Sequence, residues 1–138
     1  MVREVKFADI AIGDTASFSK TITEHDVYAF AGLSGNFNPV HVDEEFARNT
    51  RFKGRIAHGL LAAGLISTVI GTALPGANAI YLAQELVFKS PVMLGDTLTA
   101  LVEVVEKIEA KKRIIFKTSV TNQNGVVVIE GKDTIYKD

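Results

Sequence analysis

The segment from Ser34 to Gly59 reads SGNFNPVHVDEEFARNTRFKGRIAHG and gathers polar and titratable residues just ahead of an almost charge-free apolar stretch. Asn36-Phe37-Asn38-Pro39 forms a turn in which proline restricts its own backbone and biases the preceding residue toward extended geometry. His41 follows at once, so its imidazole is set on a stiff support. Gly59 falls where a helix begins, a place that offers a bare backbone amide to a substrate oxygen. A base, a polar neighbour and an oxyanion donor are the parts of a small acyl-chemistry site. Spacing alone leaves His41 open between a catalytic and a structural role.

Other chemistries fit less well. His25, between Glu24 and Asp26, reads as a solvated surface residue. His58 reads as a residue that orients the following helix or hydrogen-bonds the loop before it. His41, Asp43 and His58 have no paired ligand spacing and no evident fourth ligand, so no metal is expected. There is no Gly-x-Ser-x-Gly elbow, and Ser67 lies within the apolar helix, where its hydroxyl is expected to bond a carbonyl one turn back. No glycine-rich nucleotide loop occurs. The chain has no cysteine, which excludes a thiol nucleophile and a disulfide framework.

These residues need a scaffold, and hydrophobic periodicity supplies one. A strand is expected from about Thr15 to Ile22, followed by a helix capped by Thr23 with Asp26 three residues on. Asp43 reads as the N-cap of a short helix holding Phe46 and Ala47. The main helix is expected from about Ala57 to Leu74, apolar nearly all round and therefore covered on most sides. Beyond it, Ile80–Lys89, Leu98–Val104 and Ile114–Val120 alternate with the period of half-buried antiparallel strands. Asn124-Gly125 predicts a type I′ hairpin into a last strand, about Val126 to Tyr136. The pattern predicts an α+β fold, one helix wrapped by a curved antiparallel sheet.

At 138 residues, 47 % of them apolar and 22 % charged, the chain is expected to form one globular domain with a real core. A net charge of −1 with interspersed signs argues against nucleic-acid or polybasic membrane partners. Gly59 to Gln84 is free of charge, but Pro75-Gly76 and several hydroxyls interrupt it, so a buried helix is preferred to a membrane span. The N-terminal residues lack the apolar run of a secretory signal, and a cytoplasmic location is expected.

Three separated runs, AFAGLSGNFNPVHVDEEFA, IAHGLLAAGLIS and LVFKSPVMLGDTL, resemble the MaoC-like hydratases of the hotdog superfamily. Among these the likeness is greatest to the short (R)-specific 2-enoyl-CoA hydratases that feed polyhydroxyalkanoate synthesis. It covers nearly the whole chain, from Gly13 to the last strand. The resemblance implies a hotdog fold, a homodimer with its active site near the subunit interface, an acyl-CoA substrate and no cofactor. It also implies addition of water across a trans-2 double bond to give an (R)-3-hydroxyacyl thioester. By the same resemblance His41 is the catalytic histidine, Gly59 the carbonyl-polarising amide, and Ser67 a serine that helps line the site.

The chain departs from this pattern at Asn36, where the family motif normally carries aspartate. A carboxamide hydrogen-bonds a water but does not titrate in the useful range. Two other readings stand beside a hydratase: a noncatalytic acyl-thioester binding protein and a hotdog thioesterase. Leu60, Leu65, Ile66 and Leu82 are candidates for an acyl tunnel. Lys53, Arg55 and Lys89 are candidates for the CoA phosphates.

Overall fold

The computed structural model describes residues 1–138. Strand β1 (Thr15–Thr21) leads into helix α1 (Glu24–Ser34), then short helices α2 (Pro39–Val42) and α3 (Glu44–Arg48). The long helix α4 (Gly59–Thr72) follows, and then β2 (Ile80–Phe88), β3 (Thr97–Ile108), β4 (Arg113–Thr121) and β5 (Val127–Tyr136). All pairings are antiparallel, in the order β1-β3-β4-β5-β2. This is the α+β hotdog arrangement expected from the sequence. No helix is long and apolar enough to cross a membrane.

Local chemistry explains the joints. The Thr23 hydroxyl accepts the Asp26 N–H at 3.1 Å, and the Asp26 carboxylate accepts the Thr23 N–H at 2.9 Å, closing the capping box. Gly35, at φ +81°, ends α1 in the left-handed region that a side chain would resist. The hairpin at Asn124-Gly125 is not type I′. Only Gly125 has positive φ, and the register slips between Val120 and Thr121. The Asn122 side chain accepts the N–H groups of Asn124 and Val126, so this loop is a turn closed by a left-handed glycine and a bulge.

Helix α4 packs on β1, β3 and β4 through Ala62, Leu65, Ile66, Val69 and Ile70, all buried. The sheet does not enclose it. Leu60, Gly64, Ser67 and Gly71 recur at helical spacing and are exposed, because β5 and β2 extend the sheet past the helix. The helix is thus covered on most sides, as expected, and left bare along one stripe. Edge strand β2 is exposed on both faces, with Ile80, Leu82, Val87 and Phe88 each about half accessible.

Under this overhang lies a buried carboxylate. Asp133 on β5 pairs across to Gln84 of β2, receives hydrogen bonds from the Gln84 amide and the Tyr81 hydroxyl, and is fully buried. Burial pushes its carboxyl up to about 7 from an ordinary 3.8, while the two hydrogen bonds pull the other way. A folded-state value above the unfolded one means the folded protein holds that proton more tightly. This contribution to stability is fully present below the ordinary value and is lost as pH rises toward 7. Asp133→Asn removes the titration and keeps an acceptor for Gln84. Its melting temperature relative to wild type is expected to be higher at about pH 8 than at about pH 5. Equal differences at the two pH values would show that Asp133 ionises as an ordinary carboxylate.

Candidate active site

The α1–α2 loop is built by side chains bonding nearby backbone. The Ser34 hydroxyl accepts the Asn36 N–H at 3.2 Å, and the Asn36 side-chain oxygen accepts the Asn38 N–H at 3.1 Å. Asn38 in turn caps α2, its side chain accepting the Val40 N–H at 3.2 Å, with Pro39 at the first helical position. These turns are why His41 sits on a stiff four-residue helix. Asp43 ends α2 and caps α3, its carboxylate accepting the Phe46 N–H at 3.0 Å. That capping role argues against its standing in for a carboxylate at position 36.

His41 is nearly buried, 8 % exposed. Its Nδ1–H donates to the Ile56 carbonyl at 2.6 Å, since a carbonyl can only accept, and Nε2 is left as the basic nitrogen. Burial holds its pKa below the ordinary 6.5. The Ile56 hydrogen bond opposes that shift, and the neighbouring His58 adds to it. The imidazole is therefore neutral at pH 7, the form a general base requires. Ile56 is itself fixed, because its N–H donates to the Val40 carbonyl at 3.2 Å and it bridges to Met93.

Gly59 opens α4, so its N–H has no partner within the helix. A Cβ there would come within 2.6 Å of the Phe88 ring. Glycine lets the edge strand close over the start of the helix and leaves the amide bare. His41 and Gly59 line one cleft of about 460 Å³, with Leu60, Ala62, Phe88 and Val92 among its apolar walls and Arg51 and Lys89 among its polar residues.

The other sequence candidates fall in different places. Asn36 is exposed and touches the site through its backbone, its carbonyl accepting the His58 Nε2–H at 2.9 Å. His58 thus bonds the Asn36 loop, not the loop immediately before it. Ser67 is exposed on the uncovered stripe of α4 and is absent from the lining of the cleft. Within α4 the hydroxyls that bond one turn back are those of Thr68 and Thr72, to the Gly64 and Thr68 carbonyls.

Of the tunnel candidates only Leu60 lines the cleft; Leu65 and Ile66 belong to the core, and Leu82 lies on the exposed edge strand. Arg55 is committed elsewhere. Its guanidinium pairs with Glu24 at 2.7 Å and Glu44 at 3.2 Å and donates to the Tyr28 hydroxyl at 3.0 Å, clasping α1 to α3. Arg51 and Phe88 carry no signal of their own in the sequence; a basic residue in a loop and an aromatic in an alternating strand are both ordinary.

Comparison with known proteins places this geometry in a family. The family model described as a MaoC like domain matches residues 8–126. The (R)-specific enoyl-CoA hydratase of Rhodospirillum rubrum is 54 % identical, over 94 % of this chain and 89 % of that protein. The 3-hydroxybutyryl-CoA dehydratase of Methylorubrum extorquens is 46 % identical, over 81 % of this chain and 71 % of that one. The unliganded structure of the R-hydratase PhaJ1 from Pseudomonas aeruginosa superposes with a TM-score of 0.94 at 44 % identity, covering 99 % of this chain and 87 % of that one. With a match over most of its length and such identities to whole relatives, the chain belongs to the MaoC-like domain family.

Proposed function

We propose that this chain is an (R)-specific enoyl-CoA hydratase, a single hotdog unit per protomer, acting on acyl-CoA as a cytoplasmic homodimer. The observation that carries the reading is a neutral, oriented imidazole and a bare helix-terminal amide facing one apolar cleft. Relatives bearing hydratase and dehydratase names support the reaction and its stereochemistry.

In the reaction, His41 Nε2 takes a proton from water as the oxygen adds to the β-carbon of the trans-2-enoyl thioester. The double-bond electrons move toward the thioester oxygen, which accepts the Gly59 N–H at the positive end of α4. The proton on Nε2 then passes to the α-carbon, giving the 3-hydroxyacyl thioester. A part for Asn36 in holding the water is supported by its place in the family motif, with its side-chain oxygen accepting the Asn38 N–H and its amide nitrogen left to meet the water. Arg51 and Lys89, on the cleft, meet the CoA phosphates.

The test mixes crotonyl-CoA with the protein and follows the conjugated-enoyl absorbance. Its loss without release of free thiol is the expected result. Thiol release instead identifies a thioesterase, and tight binding without turnover identifies a binding protein.

The homodimer is supported by two uncovered apolar surfaces that adjoin. Edge strand β2 presents unpaired backbone groups and apolar side chains, the stripe of α4 that holds Leu60, Gly64, Ser67 and Gly71 lies bare, and the two elements meet where Gly59 approaches the Phe88 ring. Ser67, on that stripe, contributes to the site from the subunit boundary. Leu82→Lys is expected to convert the dimer to monomer, as read by light scattering after gel filtration. A variant of unchanged mass would locate the interface elsewhere.

A further inference from the structure

His58 takes no part in the reaction as written, yet it is 2 % exposed and sits among all the groups that do. Its backbone caps α4, the carbonyl accepting the Leu61 and Ala62 N–H groups at 3.1 and 3.2 Å. Its ring makes no capping bond and crosses instead to the Asn36 carbonyl. That carbonyl can only accept, so the proton is on Nε2. Nδ1 keeps a lone pair that is buried without a partner. The ring lies against His41, centroids 3.9 Å apart and tilted by 31°, and against Phe30 at 4.8 Å.

The three functional groups come from three separate segments: Asn36 from a loop, His41 from α2 and Gly59 from α4. His58 reaches the first by a hydrogen bond, the second by ring contact and the third by chain adjacency. Small displacements between such groups are costly, since a misplacement of about 1 Å can lower a rate about 100-fold. We propose that His58 is a positioning residue for hydration: its ring ties the Asn36 loop to the start of α4 and is the plate against which His41 is aligned. The inference rests on the hydratase reading of the site.

Charge supports the contact. Among titratable groups His58 alone acts on His41 through charge, and its effect disfavours protonation of His41. Ile56, from the segment before α4, offers only a carbonyl, and Phe30 of α1 is uncharged. Two imidazolium rings this close, one without a partner for its second nitrogen, would repel in a buried setting.

The experiment compares the full chain with His58→Phe, which keeps a plate and loses the tie, and His58→Gln, which keeps an amide donor and loses the ring. Two quantities are read: kcat and KM with crotonyl-CoA, and the His41 titration midpoint by NMR in the ligand-free protein. The expected result is a fall in kcat of roughly 10- to 100-fold with little change in KM. The His41 midpoint is expected to rise in both variants, because a ring able to carry positive charge has gone. An unchanged kcat, or an unmoved midpoint in a folded variant, overturns the proposal. Should the phenylalanine variant not fold, the glutamine variant decides by the same readouts. If wild type itself hydrates no crotonyl-CoA, the hydratase reading fails, while the midpoint still judges whether His58 governs His41.

Discussion

His41→Ala is expected to lower kcat for crotonyl-CoA hydration by about 10²- to 10⁴-fold, the usual effect of losing a general acid/base. Its imidazole is the one group in the cleft whose tautomer, orientation and protonation state all suit proton transfer. The Ile56 carbonyl fixes Nδ1–H, the stiff α2 turn fixes the ring, and burial keeps Nε2 free of a proton at neutral pH. KM should change little, because binding rests on the apolar walls and the polar rim. The wild-type pH profile should show its acid limb below 6.5, since the reactive form is neutral and its pKa is depressed. Loss of that limb should accompany the substitution. Retention of full activity by His41→Ala, with an unaltered acid limb, would remove the imidazole from the reaction.

Asn36→Asp is expected to act in the opposite direction, raising kcat by as much as about 10²- to 10⁴-fold. The side chains are nearly isosteric, and a carboxylate oxygen can still accept the Asn38 N–H that shapes the loop. Stability should therefore be almost unchanged. What the substitution adds is a group able to take a proton from water, so that His41 no longer has to serve both the water and the α-carbon. The same enoyl-absorbance assay, run on both proteins at matched pH, decides the matter. Equal or lower turnover by Asn36→Asp would mean that this cleft is built around a carboxamide, whereas no turnover by either protein would favour the acyl-thioester binding alternative.

The sequence by itself determined much of this protein, because its strongest signals are local. The Thr23 capping box, the Asn38-Pro39 start of α2, the Asp43 cap and four alternating strands each depend on residues within a few positions of one another. Spacing also brought out His41 and Gly59 as partners, and one cleft does hold both. Tertiary structure decided what depends on distant chain. An apolar helix such as α4 says that it is covered, but only the strand order says which stripe is left bare and puts Ser67 on it. A basic residue before the helix suits phosphate equally well until Glu24 and Glu44 are found to neutralise Arg55. Asn-Gly favours type I′, yet the Asn122 side chain selects a bulged turn by bonding two N–H groups. The stacking of His58 on His41, and its bond to the Asn36 carbonyl across 22 residues, leave no periodic trace. Contacts between segments obey packing and register, and neither is written in the identities of neighbouring residues.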